Sequence, residues 1–146
     1  MESTTGKTLQ CVVVTPEKAV LDETVQFVAL PMYDGELGVL PGRAPLIGRL
    51  GMGELRTQQG SVVKRFYIDG GFAQVRGDVV TVLTPKAQKA EDIDAAAATH
   101  ALEAAKGPTT TPEAQEAQRK AQTRARAQLR IAQKVHEGHD HGAASH

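Results

Sequence analysis

The aromatic residues of this chain stop at its midpoint. Phe27, Tyr33, Phe66, Tyr67 and Phe72 all precede residue 73, and ten of the 14 glycines lie between Gly35 and Gly77. From Ala87 to Val135 there are 15 alanines, one glycine and no aromatic. Strand-and-turn residues thus give way to helix formers. Thr84-Pro85-Lys86 marks the change, because proline stops a strand ladder and helical spacing begins just beyond it. The expected fold is α+β. An N-terminal antiparallel β-sandwich occupies residues 1–86, an antiparallel two-helix hairpin 87–135, and a His-rich flexible tail 136–146.

Residues 10–14, 24–30, 62–68 and 79–83 read as strands, being β-branched or alternating. Val25, Phe27 and Ala29 share one face of the second, and Phe66 and Ile68 one face of the third. Gln59-Gly60, Asp69-Gly70-Gly71 and Gly77-Asp78 are turn signals. Short strands separated by such turns point to a sandwich or barrel.

The first helix is expected from Ala87 or Glu91 to Lys106, stopped by Gly107-Pro108. Thr111 is the expected N-cap of the second, with Pro112 at its first position and Val135 near its end. Its apolar stripe is Ala114, Ala117, Ala121, Ala125, Leu129, Ala132 and Val135. Alanine buries little area, so at ~25 cal/mol per Å² this seam holds weakly. Helices that persist while their docking changes are the expected consequence. Between Glu116 and His136 the second helix carries six basic residues and no acid.

Several functions are disfavoured by composition. Net charge is zero, aromatics are 3% and Trp is absent, which argues against nucleic acid as a partner. No apolar run approaches the ~20 residues of a bilayer span. Neither a signal nor a transit peptide is expected at the N-terminus, and the single Cys11 suggests a reducing compartment. Met1 to Thr8 ends like a phosphate loop but lacks its first glycine, and Gly51-Met52-Gly53 is a lone GxG. Asp34, Glu36 and Asp69 are possible acid/base residues, but acids in Gly-rich turns are more often simply solvated. His136, His139, His141 and His146 are spaced for weak metal binding, although a polar terminus explains them as well, and no metal site is expected. The basic helix is either a solvated face or a surface for an acidic protein partner.

Three segments carry a resemblance. They are 35–46 (GELGVLPGRAPL), 68–75 (IDGGFAQV) and 87–94, which ends in Ala90-Glu91-Asp92-Ile93-Asp94. In this order, with an Ala-rich hairpin behind them, they resemble the epsilon subunit of bacterial F-type ATP synthase over residues 9–135. The resemblance implies a sandwich of about ten strands and a non-catalytic subunit of the central stalk. Its partners would be the gamma subunit, the ring of c subunits and, when the hairpin extends, the beta subunit. It would couple proton flow to ATP synthesis and restrain hydrolysis. Its place would be the cytoplasmic face of the bacterial inner membrane, touching the membrane only through the complex. A free-standing sandwich that binds proteins, with a helical tail, is the alternative.

Carried over by position, the resemblance implies ring contacts at Asp34, Gly35, Glu36, Leu37 and Arg43, with Glu36 foremost. Arg43 stands where the family usually has histidine, so a permanent cation replaces a titratable one. Inhibitory contacts would come from Arg119, Lys120, Arg124, Arg126 and Arg130. Of the ATP-binding motif of some relatives, Ile93, Asp94 and Ala98 are present, but Ala97 occupies the arginine position. Without that guanidinium a triphosphate lacks its main fork-like donor, so no cofactor is expected.

Overall fold

The computed structural model describes the backbone of residues 7–144 and the side chains of residues 7–134. Eight strands come first: β1 (Leu9–Val14), β2 (Ala19–Val25), β3 (Phe27–Met32), β4 (Gly35–Val39), β5 (Leu46–Gln59), β6 (Val62–Arg76), β7 (Val79–Leu83) and β8 (Ala87–Lys89). A 3-10 turn, Ala90–Asp92, leads to α1 (Ala95–Ala104) and α2 (Pro112–Ala144). Two compact units result, Met1–Gln88 and Lys89–His146.

In the first unit the strands follow the order β2-β1-β7-β6-β5-β3-β4, with β8 on β6. Period-two alternation sets which side chains enter the core. β1 buries Leu9, Cys11 and Val13, and β7 buries Val80 and Val82. β5 and β6 are 14 and 15 residues long, enough to pass through both layers of the sandwich. If each is taken as two strands, eight become the ten expected.

How β6 serves both layers is visible in its parity. Before the Gly70-Gly71 pair it gives the core Phe66 and Ile68, and after it Ala73 and Val75, while Tyr67, between the first two, is buried outside that core cluster. β5 changes sides likewise, from Leu50 to Gly53 and Leu55. The β5–β6 register runs through without a slip. Gly70 and Gly71 have φ of 79° and 106°, where L side chains are strained, so glycine lets the ribbon coil sharply. Asp69-Gly70-Gly71 is therefore a bend inside one strand, not the turn that its composition suggests.

Other expectations are corrected too. β5 was not foreseen, because Gly48, Gly51 and Gly53 dilute its strand signal. Those glycines admit β3. A Cβ at Gly48 would stand 2.6 Å from Met32 Cε, and one at Gly53 3.0 Å from Pro31 Cβ. Residues 24–30 are not one strand, since a bend at Gln26 separates β2 from β3. The sheet is not wholly antiparallel, because β1 and β7 run parallel. With nearly the whole unit between them, no tight turn forces these two strands to oppose.

In the second unit the first helix starts later than expected, at Ala95, after a strand and a 3-10 turn. Asp94 caps it, accepting the Ala97 N–H at 3.0 Å. Ala105 is its C-cap. Thr111 caps α2 as expected, its Oγ1 accepting from Ala114 N–H at 3.1 Å. α2 continues to Ala144, so the 136–146 segment is helical through residue 144 where a flexible tail was expected. A nucleated helix propagates one hydrogen bond at a time, even across occasional glycines. The side chains of His136, His139, His141 and His146 lie outside the described residues. The buried stripe of α2 is broader than expected, since Ala127 and Ile131 join Ala125. α1 packs on α2, and two glutamines tie them: Gln122 Nε2 donates to the Ala105 carbonyl at 2.8 Å and Gln118 Nε2 to the Gly107 carbonyl at 2.9 Å.

Candidate functional site

The β3–β4 hairpin carries most of the residues expected to meet the ring. Met32 pairs with Gly35, so Tyr33 and Asp34 form the two-residue turn. Asp34, Gly35 and Glu36 are exposed, while Leu37 is half-buried and packs against the core as the hairpin's anchor. Asp34 makes no ion pair among the described residues. Glu36 does, with Arg56 Nη1 at 3.2 Å. Arg49, also from β5, lies over the Tyr33 ring at 4.4 Å.

Arg43 sits in a separate loop, 40–45, exposed and beside Gly42. That loop is held by Asp78, whose Oδ1 accepts the Gly42 N–H at 2.8 Å. Asp78 has φ of 62°, in the left-handed region that aspartate tolerates. Its carbonyl also accepts the Gln10 N–H at 2.9 Å. Sequence reasoning saw a turn at Gly77-Asp78 but not its side-chain reach. Arg49 and Arg56 were also missed, and only cross-strand register, which a sequence does not display, would have found them.

One outer face is unusually apolar. Register aligns Arg49, Phe72, Leu83 and Val14 across β5, β6, β7 and β1. Phe72 is 54% and Leu83 55% exposed, and Ile47, next along this face of β5, is 73% exposed. A shallow depression lined by Val14, Pro16, Leu83 and Pro85 continues the patch. Large exposed side chains in one row mark an interaction surface.

On α2 the basic residues are not equivalent. At 3.6 residues per turn, Arg119, Arg126 and Arg130 fall within ~40° of one another, with Lys120 to one side. All four are exposed. Arg119 pairs with Glu116, whose carboxyl that bond holds below the ordinary carboxylate range. Arg124 is half-buried and engaged, set apart from this stripe.

No constellation for catalysis assembles from the expected acids. Glu36 is committed to Arg56, and Asp69 lies on β6 opposite Met52. Cys11 is buried, and burial pushes its thiol up to about 12, with Glu23 and Asp22 adding to the effect. Among the described residues no three His, Cys, Asp or Glu side chains group as for a metal. No described helix is long and apolar enough to cross a membrane.

A sandwich with an apolar outer row and a braced acidic hairpin, followed by two helices of which the second is basic, presents surfaces suited to protein contact. Residues 8–90 match the family model of the ATP synthase delta/epsilon chain, beta-sandwich domain. The ATP synthase epsilon chain of Rhodopirellula baltica is 54% identical over 123 residues, covering 84% of this chain and 96% of that one. That of Desulforamulus reducens is 44% identical over 89 residues, covering 61% of this chain and 67% of that one. Among solved structures, a chain of the Euglena gracilis mitochondrial ATP synthase OSCP/F1/c-ring assembly aligns with a TM-score of 0.67 and 26% identity. It covers 90% of this chain and 81% of that chain. The fold is shared with a chain of the Tetrahymena thermophila central stalk/c-ring structure at a TM-score of 0.67 and 14% identity, covering 85% and 96%. This chain belongs to the ATP synthase epsilon chains.

Proposed function

We propose that this chain is a non-catalytic rotor subunit that transmits ion flow through the c ring to ATP synthesis and restrains hydrolysis through its helices. The observation that carries the reading is the exposed row of Phe72 and Leu83, extended by Ile47, on a sandwich of this family. Such a row favours a stable apolar contact, and the gamma subunit is its proposed occupant. The braced hairpin at Asp34 to Glu36 and the Arg43 loop meet the c ring. The Arg119, Lys120, Arg126 and Arg130 face meets an acidic stretch of the beta subunit when the hairpin extends, with Arg124 at its margin. Membrane association is peripheral, at the cytoplasmic face of the bacterial inner membrane, and runs through the complex.

Paired Phe72→Asp and Leu83→Asp substitutions test the gamma assignment. Both side chains are exposed, so the fold is expected to survive. Charges placed in an apolar contact cost a few kcal/mol, so the variant no longer co-purifies with gamma. Full retention in the complex would remove this face as the gamma contact.

A further inference from the structure

Glu36 and Arg56 sit on strands that are not neighbours, yet they form an ion pair at 3.2 Å. Register explains the reach. Arg56 is opposite Ala29 on β3, and Ala29 is opposite Gly38 on β4. A methyl group and a hydrogen leave a trough across β3 along which the arginine stem extends. Phe27 borders the trough, its ring centroid 5.8 Å from Arg56 Cζ. Its Cε1 would stand only 3.1 Å from a Cβ at Gly38. From β5 itself, Glu54 lies 3.9 Å from the same guanidinium and is in turn bound by Arg65 at 2.7 Å. The Arg56 head is thus held before any partner arrives, and Glu36 is already matched. Asp34 has no ion pair among the described residues.

We infer that Asp34, rather than Glu36, is the anion this hairpin offers its partner, and that Arg56 is the positioning residue that sets the division. The inference rests on reading the hairpin as the ring contact. The partner it fits is a surface presenting one cationic side chain toward Asp34, beside the Arg49–Tyr33 stack. A second cation aimed at Glu36 would meet the Arg56 guanidinium and be repelled. Glu36 keeps the surface near Arg56 neutral, and its loss would unmask a positive charge there.

The test uses full complexes reconstituted with variants of this chain, measuring association across a salt series. Asp34→Asn weakens association about tenfold and flattens its salt dependence. Glu36→Gln also weakens it, because Arg56 is unmasked. Adding Arg56→Gln to Glu36→Gln brings association back to within about twofold of wild type. A merely structural pair would show no such rescue. If Asp34→Asn is silent and the double variant stays as weak as Glu36→Gln alone, Glu36 is the contact and the inference is overturned. An aromatic photo-crosslinking residue at Tyr33 keeps a ring beneath Arg49 and identifies the partner. A cross-link to c subunits supports the ring reading, and one to another subunit overturns it. In either case the Asp34 and double-variant pattern decides which carboxylate is offered.

Discussion

Gly71 faces the Leu83 carbonyl so closely that a Cβ at residue 71 would stand 2.1 Å from that oxygen. The contact joins the coil in β6 to the last residue of β7, and it involves backbone, which cannot rotate away. Gly71→Ala therefore meets both a clash and a φ of 106°. A loss of more than ~3 kcal/mol is expected from the two together. Gly70→Ala, with open space around it, costs only ~1 kcal/mol from its φ. Urea unfolding of the two variants checks the contrast, and equal losses would contradict it.

Cys11 should resist thiol reagents in the native protein and react only on unfolding, since it is buried and its thiol is held neutral. Its folded value lies near 12 against an ordinary 9.0. Above pH 9 the unfolded thiol loses its proton first, so the folded state binds more protons and stability falls as pH rises. The slope approaches 1.4 kcal/mol per unit between 9 and 12. Cys11→Val removes this contribution, and comparison of the two alkaline stability curves measures it.

The helical pair is tied by hydrogen bonds where its alanines give little. Replacing both Gln118 and Gln122 by alanine removes the donors to Gly107 and Ala105. At ~1 kcal/mol each, the pair loosens by about 2 kcal/mol. Faster amide exchange in α1 and faster proteolysis at residues 107–112 are the expected signs. Unchanged exchange would assign the hairpin's stability to packing alone.

ATP should bind this chain weakly or not at all. Ala97 supplies no guanidinium, and Asp94 is occupied in capping α1. Calorimetry showing sub-micromolar affinity would contradict this. Ala97→Arg is the variant expected to gain affinity.

What was legible in the sequence is what short-range chemistry decides. Thr111 and Pro112 marked the start of α2 because capping is local. Residues 10–14 are mostly β-branched and apolar, so β1 could be read. β5 was hidden because its glycines serve β3, a strand at least 14 residues away in sequence. The hairpin acids were legible as exposed turn residues, but their difference was not. Only the β3–β4 and β3–β5 registers together place Arg56 over Ala29 and onto Glu36. Likewise, the six basic residues of α2 looked alike until the helix separated Arg124 from the stripe of Arg119, Arg126 and Arg130.

On the proposed reading the sandwich couples while the helices restrain. ATP hydrolysis and ion pumping, measured together in reconstituted complexes, decide between this division and its alternatives. One complex carries the full chain, one a chain ending after Lys89 so that β8 is kept, and one charge reversals at Arg119, Arg126 and Arg130. Close charge pairs at a desolvated contact are worth a few kcal/mol, comparable to the gap between two hairpin states. Truncation and charge reversal should each raise hydrolysis severalfold while pumping per ATP stays unchanged. Loss of pumping on truncation would place the helices in the transmission, and hydrolysis unchanged in both variants would contradict the restraining role.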